Sequence, residues 1–319
     1  MEALSYVHGS AGPPLVAATI GAFLDHVAAQ NGAREAVICV QQAVRWTYAE
    51  LKAQADAIAA GLLALGLEPG DRLGIWSPNR AEWVAVQFAA AKAGLILVNI
   101  NPAYRVAELE HVLRVAGCKA LVTAFQFKSS NYPAMVAELA PDLVHSRKPV
   151  TSARLPELRR LIVFDDAQGC DCLHYSDVIA LGRKSGFEPL SALKLDFDAA
   201  VNIQFTSGTT GLPKGVTLTH HNLLNNGLHV GVVTGIGPED RVCLPVPLYH
   251  CFGMVMGVLA CLTQGATMVF PSEGFEPLRV LQAIAAERCT HLHPGGRHVR
   301  RFRSEIAARR DHGRRTLSC

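Results

Sequence analysis

Short apolar runs alternate along this chain with longer amphipathic segments, and this alternation restricts the fold more than any other feature. Residues 71–76, 95–100 and 120–123 are short and mostly apolar, whereas residues 81–93 carry apolar side chains at helical spacing. Parallel strands need crossover connections of a dozen or more residues, usually helical, while hairpins do not. The sequence therefore predicts an α/β fold with mostly parallel sheets flanked by helices.

Size and composition fit a buried α/β protein. The chain has 319 residues, half of them hydrophobic, and a mean hydropathy of +0.20. It contains no uncharged apolar run of about 18 residues, so we expect no transmembrane helix. The first residues carry no basic stretch ahead of an apolar core, which favours a cytoplasmic location.

The nine cysteines are odd in number and scattered. Most lie inside apolar runs, where a free thiol behaves as a small hydrophobic group, and we expect reduced core thiols. Cys170 and Cys172 form one close pair, but the absence of a second pair nearby argues against a metal site.

Local signals place several elements and connections. Thr47 and Glu50 have the spacing of a capping box at the start of a helix. His220 and His221 begin another predicted helix; because adjacent side chains point away from each other on a helix, a helix-start role is favoured over metal binding. Residues 141–157 and 165–172 are predicted to be exposed connections. Residues 252–262 are apolar on all sides, which predicts a buried core helix.

A stretch rich in glycine and hydroxyl side chains predicts a phosphate-binding loop at residues 206–215. It follows the alternating strand pattern of residues 201–205 and ends in a lysine. Small side chains let backbone N–H groups approach a polyanion, and the lysine supplies a compact positive charge. Gly215 follows Lys214, so the stretch lacks the Ser/Thr of a Walker-type P-loop. The alternative is an ordinary hairpin turn. The candidate cofactor-binding residues are Thr206, Ser207, Gly208, Thr209, Thr210, Gly211, Lys214 and Gly215.

A second candidate site stretch covers residues 241–250. Pro245 and Pro247 exclude a regular central strand, and the stretch ends in Tyr249 and His250. Open α/β sheets bind ligands beyond the carboxyl ends of their strands, so these two side chains are candidate substrate-binding groups. For His250 the alternative is a hydrogen-bonded structural histidine.

The loop at residues 206–215, with its Pro-Lys-Gly ending, resembles the signature of the adenylate-forming superfamily. The segments around it are most similar to medium-chain fatty acyl-CoA synthetases. The resemblance implies the N-terminal part of the synthetase large domain. It also implies activation of a fatty acid by ATP to an acyl-adenylate, followed by transfer to coenzyme A. By the same resemblance His250 and Lys214 are catalytic, Tyr249 and His250 face the carboxylate, and Thr206 is a candidate ligand of Mg²⁺.

This resemblance divides the chain into an incomplete AMP-binding domain at residues 1–293 and a basic tail at residues 294–319. The tail carries eight arginines against Glu305 and Asp311 and has no apolar periodicity. We interpret it as a disordered or frameshifted end; the alternative is an arm that binds nucleic acid or anionic lipid through its arginines. It contains no recognised nucleic-acid module, and we expect no nucleic-acid partner.

The superfamily's adenine-binding segment, ribose-binding aspartate, hinge and mobile C-terminal domain with its lysine have no counterpart in this sequence. We therefore expect weak binding of ATP or pyrophosphate and poor turnover. Two alternatives stay open: a non-catalytic pseudo-enzyme, and a ligase of the same superfamily that acts on an aryl or other acid. The sequence does not define the oligomeric state.

Overall fold

A computed structural model describes residues 12–164, 170–206 and 213–292. In these ranges the strands are β1 (Glu35–Cys39), β2 (Val44–Thr47), β3 (Arg72–Trp76), β4 (Ile96–Ile100), β5 (Cys118–Thr123), β6 (Gln126–Phe127), β7 (Ser130–Asn131), β8 (Arg160–Val163), β9 (Leu173–His174), β10 (Ala200–Thr206), β11 (Lys214–Thr219), β12 (Arg241–Cys243), β13 (Thr267–Phe270) and β14 (His291–Leu292).

The α-helices of the same ranges are α1 (Ile20–Asn31), α2 (Tyr48–Ala64), α3 (Ala81–Lys92), α4 (Val106–Ala116), α5 (Tyr132–Leu139), α6 (Tyr175–Ser185), α7 (Glu188–Ser191), α8 (His220–Thr234), α9 (Ala260–Gln264) and α10 (Pro277–Ala286). A 3₁₀-helix spans Pro141–His145, and a π-helix spans Phe252–Leu259.

Two mostly parallel sheets form the framework. The larger has the spatial order β11-β10-β4-β3-β5-β8-β9, and the smaller has the order β14-β12-β13-β1-β2. In the larger sheet β11 pairs antiparallel to β10, and the other neighbours are parallel. In the smaller sheet β2 is the antiparallel strand. The predicted mostly parallel α/β class is confirmed.

Helix α3 packs between the two sheets. It contacts β1 of the smaller sheet and β4 of the larger sheet, as well as α1 and α2. Most of its side chains are buried, including Trp83 and Phe88, because apolar residues cover its whole circumference. Its amino end is held by Gln42, whose Oε1 accepts from the Ala81 amide at 2.8 Å. The core is therefore a central helical layer enclosed by two sheets.

Helices α2 and α6 cross at two glycines. A Cβ atom on Gly182 would lie 1.8 Å from the carbonyl oxygen of Ala57, and one on Gly61 would lie 2.1 Å from that of Val178. No side chain fits at such distances, so the crossing requires glycine on both helices. The sequence analysis did not predict α6.

Several local expectations are confirmed. Thr47 and Glu50 form the capping box of α2. His220 begins α8, which confirms the helix-start interpretation, and its buried Nδ1 accepts from the Ile20 amide at 3.1 Å. Burial lowers the pKa of His220 to about 4 because the charged ring is desolvated. His220 thus anchors the start of α1.

Three expectations need correction. Cys170 and Cys172 are joined by a disulfide and Cys251 is exposed, so not all cysteines are reduced core thiols. Residues 141–157 are not wholly exposed, because a 3₁₀-helix there buries Leu143 and Val144. The predicted helix at residues 252–262 is π-helical up to Leu259 and α-helical beyond it. Residues 165–169 and the tail from residue 294 lie outside the described ranges.

Candidate functional site

The two strands that flank the predicted phosphate loop form an antiparallel hairpin. Thr206, the last residue of β10, is in register with Lys214, the first residue of β11, and Phe205 is in register with Gly215. Thr206, Lys214 and Gly215 are exposed. Ser207, Gly208, Thr209, Thr210 and Gly211 lie outside the described residues, so their phosphate-binding role stays a prediction. The structure thus places the two flanks of the loop, and the Thr206 hydroxyl donates across the hairpin to the carbonyl of Lys214 at 3.5 Å.

A histidine from another element contacts the loop at its base. His111 of α4 has its Nε2 atom 3.2 Å from the carbonyl oxygen of Pro213, the residue before Lys214. Sequence reasoning did not identify His111, because a histidine within an amphipathic helix carries no signal for a contact about a hundred residues away.

The segment of residues 244–250 follows β12, and a buried asparagine binds its backbone. Asn79 lies in the loop after β3; its Nδ2 donates to the carbonyl of Val246 and its Oδ1 accepts from the amide of Leu248, both at 2.8 Å. Asn79 is 2% exposed. Its backbone amide donates to the carbonyl of Glu273 at 3.1 Å. The loops after β3 and β13 thus meet the 244–250 segment at the carboxyl ends of their strands.

A second asparagine connects this segment to β10. Asn99 of β4 donates from Nδ2 to the carbonyl of Tyr249 at 3.1 Å, and its Oδ1 accepts from Nδ2 of Asn202 at 2.9 Å. Asn99 is also in register with Gln204 of β10. Tyr249 is therefore linked through Asn99 to the strand that leads into the phosphate loop. The two candidate site stretches meet at the carboxyl ends of the parallel strands β4 and β10.

Two buried polar atoms on this face of β10 have no hydrogen-bond partner among the described residues. They are Oδ1 of Asn202 and Nε2 of Gln204. Both side chains are more than nine-tenths buried. An acceptor and a donor two residues apart on one strand project to the same side of the sheet.

The two predicted substrate residues differ in their surroundings. Tyr249 is half-buried, and burial raises the pKa of its hydroxyl. His250 is exposed, and its Nδ1 accepts from the Phe252 amide at 3.1 Å. His250 thus satisfies the first N–H group of the π-helix, and its ring is oriented by that bond. The sulfur of Cys251 lies 3.5 Å from the same nitrogen.

The π-helix packs closely against the 244–250 segment. A Cβ atom on Gly253 would lie 2.3 Å from the carbonyl oxygen of Pro247, so glycine is required at this contact. π-Helical turns are rare and occur frequently at functional sites. The irregular helix therefore begins directly behind His250, against the backbone that carries Tyr249.

The described residues contain no group of three or more His, Cys, Asp or Glu side chains that could hold a metal ion. Thr206 offers a single hydroxyl oxygen at the end of β10. In the same ranges no helix is long and apolar enough to cross a membrane.

Comparison of the sequence with protein-family models shows which family the chain belongs to. The model of the AMP-binding enzyme family matches residues 24–317, a range that extends past residue 293. The chain belongs to the AMP-binding enzyme family.

Individual relatives agree with this assignment. The chain is 45% identical over 294 residues to the zebrafish (Danio rerio) medium-chain acyl-CoA ligase ACSF2, mitochondrial, covering 91% of this chain and 48% of that protein. It is 42% identical over 300 residues to the human protein of the same name, with the same coverage of 91% and 48%. The chain thus spans about half the length of the curated relatives it matches.

Among solved structures, the apo structure of MbtA from Mycobacterium smegmatis matches with a TM-score of 0.74 and 28% identity. The match covers 87% of this chain and 48% of that one. This similarity supports the expected fold, which is part of the large domain of an adenylate-forming enzyme.

Proposed function

We propose that this chain carries the ATP-phosphate and carboxylate sites of an AMP-forming acyl-CoA ligase. Its reaction would join a fatty acid to AMP with release of pyrophosphate, and coenzyme A would then displace AMP to give the acyl-CoA. The observation that carries the proposal is the meeting of the β10–β11 hairpin with the 244–250 segment at one sheet edge, through Asn99. The names of the relatives favour a medium-chain acid.

The hairpin suits the first half-reaction. Attack of the carboxylate on the α-phosphate releases pyrophosphate, so negative charge grows on the leaving group. Lys214 is exposed at the start of β11 and can pair with these oxygens, as the resemblance implies. Fixed positive charge at the place where negative charge develops stabilises a transition state without reorganisation.

Magnesium fits this site only as a partner of the phosphates. The hydroxyl of Thr206 is a hard oxygen ligand, and Mg²⁺ is commonly bound by one or two protein oxygens together with substrate phosphates and water. When bound, Mg²⁺ would neutralise phosphate charge. Thr206 would hold it, while Lys214 would orient the phosphate chain.

The 244–250 segment suits the carboxylate. The Tyr249 hydroxyl is protonated at neutral pH, burial raises its pKa further, and it can therefore donate a hydrogen bond. His250 has a fixed ring orientation and an exposed Nε2 edge. Two donors on adjacent residues match the two oxygens of a carboxylate. The cytoplasmic location stays a prediction, and the vertebrate relatives carry the word mitochondrial in their names.

The test is exchange of labelled pyrophosphate into ATP by the purified 319-residue chain. Magnesium and straight-chain fatty acids of graded length are added, and titration calorimetry with Mg-ATP measures binding separately. We expect measurable but weak binding, and slow exchange with a maximum at medium chain length. Preference for an aromatic acid would instead support the aryl ligase. A folded chain that binds neither Mg-ATP nor any acid would support the non-catalytic alternative.

A further inference from the structure

The 244–250 segment has fewer backbone donors than a strand, because Pro245 and Pro247 lack an N–H group. The side-chain amide of Asn79 binds both the carbonyl of Val246 and the N–H of Leu248, two residues apart in the chain. One side-chain amide therefore takes the place of a neighbouring strand. Its two bonds fix the backbone immediately before Tyr249 and His250.

Asn99 fixes the next backbone group of the chain. It holds the carbonyl of Tyr249, and its own orientation is set by Asn202, which uses its other amide hydrogen on the carbonyl of Leu97 at 2.8 Å. Asn99 is 3% exposed. Because both asparagine side chains are buried, removing one of them leaves a backbone polar group of the segment without its hydrogen-bond partner.

We propose that Asn79 and Asn99 are positioning residues for the carboxylate site. They touch the backbone at residues 246, 248 and 249 and hold it so that Tyr249 and His250 face the substrate. Neither amide needs to contact the substrate. For its ligand the inference rests on the proposed function, but the backbone positioning can be measured without any ligand.

Asn225 supplies a matched control. It is a buried asparagine of α8 that holds a backbone in the same way, accepting from the Val16 amide at 2.7 Å and donating to the Val16 carbonyl at 3.0 Å. Asn225→Ala removes the same two kinds of bond in a segment outside the candidate site. It therefore measures what loss of such a contact does to the whole protein.

The first arm is hydrogen exchange of the full chain without ligand, read from peptides that cover residues 244–254. In Asn79→Ala we expect the Leu248 amide to exchange about tenfold faster or more, since its acceptor is lost. Asn225→Ala should leave this peptide unchanged and speed exchange near Val16. Equal acceleration in both variants, or none in Asn79→Ala, would overturn the proposal.

The second arm is pyrophosphate exchange with the preferred acid. Asn79→Ala and Asn99→Ala should raise the KM for the acid about tenfold with a smaller change in the KM for ATP, because only the carboxylate segment is displaced. An unchanged KM for the acid in both variants would contradict the inference. Should Asn79→Ala fail to fold, Asn99→Ala carries this arm. If the unaltered chain neither exchanges nor binds acid, the proposed function fails, and the hydrogen-exchange arm alone decides the positioning.

Discussion

The two halves of the candidate site are built in opposite ways. The β10–β11 hairpin ends in exposed residues and is held by backbone ladders, one between its own strands and one between β10 and β4. The 244–250 segment has no strand partner at its end and is held by the buried side chains of Asn79 and Asn99. The two strands of the hairpin are thus neighbours in sequence, although β4 and His111 also contact it, whereas the segment depends on side chains 150 to 169 positions away.

This difference separates two kinds of sensitivity. Substitutions at the exposed end of the hairpin should change affinity for phosphate and leave stability almost unaltered. Substitutions around the 244–250 segment should cost stability, because they disturb a close-packed interior. Each prediction below measures one side of this contrast.

The largest expected effect comes from a pair of glycine substitutions. Gly253→Ala places a methyl group against the backbone carbonyl of Pro247, which cannot move aside, and should lower the free energy of unfolding by about 3 kcal/mol. Gly215→Ala in the hairpin meets only side chains, Ile203 at 3.1 Å and Phe205 at 3.4 Å, and should cost less than about 1 kcal/mol. Urea unfolding of both variants checks this. Equal losses would remove the contrast between the two regions.

The next effect concerns the buried anchor that directly follows the hairpin. The pKa of His220 is lowered by burial to about 4 from an ordinary value of 6.5, so between these values the unfolded chain binds a proton that the folded chain does not. The contribution of neutral His220 to the free energy of unfolding is fully present above pH 6.5 and is lost as the pH falls toward 4. By pH 5 the loss should reach about 2 kcal/mol.

Urea unfolding at pH 7 and pH 5 tests this pH dependence. His220→Gln is the control, since glutamine retains an acceptor for the Ile20 amide and does not titrate. The variant should show a smaller decrease in stability between the two pH values. An identical decrease in both proteins would assign the effect to other groups.

The smallest effect is on ligand affinity at the hairpin. Lys214→Ala removes the charge predicted to meet the phosphates and should weaken binding of Mg-pyrophosphate about tenfold, or roughly 1.4 kcal/mol. Lys184→Ala, an exposed lysine at the end of α6, should leave this affinity unchanged. Calorimetric titration of both variants measures it. Unchanged affinity of Lys214→Ala for Mg-pyrophosphate would contradict the predicted role of Lys214 in phosphate binding.

The mostly parallel sheets, the starts of α2 and α8 and the glycine-rich loop could be predicted from the sequence because their signals are local. Thr47 and Glu50 are three residues apart, and Lys214 stands within a ten-residue pattern. Asn79 and Asn99 could not be predicted in this way. Each is a single asparagine without a surrounding motif, and its role exists only once Val246 and Tyr249 are folded against it.

Other features escaped prediction for related physical reasons. Helix α6 has few buried side chains, so its apolar pattern is weak. Its contact with α2 requires Gly182, and a glycine inside a helix lowers the helix propensity of the sequence. The π-helix has the same apolar composition as an α-helix. In the π-helix, Gly253 lies close to the backbone of Pro247. This contact cannot be predicted from the spacing of apolar residues in the sequence.

The bond from the Phe252 amide to Nδ1 of His250 also determines which tautomer the neutral imidazole adopts. Because the Phe252 N–H donates to Nδ1, this nitrogen must carry a lone pair. In the neutral ring the proton is therefore on Nε2. In this tautomer Nε2 carries the ring hydrogen and is a hydrogen-bond donor. A carboxylate is a suitable partner for such an edge, whereas a group that must lose a proton is not. We therefore expect His250 to contact an anionic substrate as a hydrogen-bond donor through Nε2.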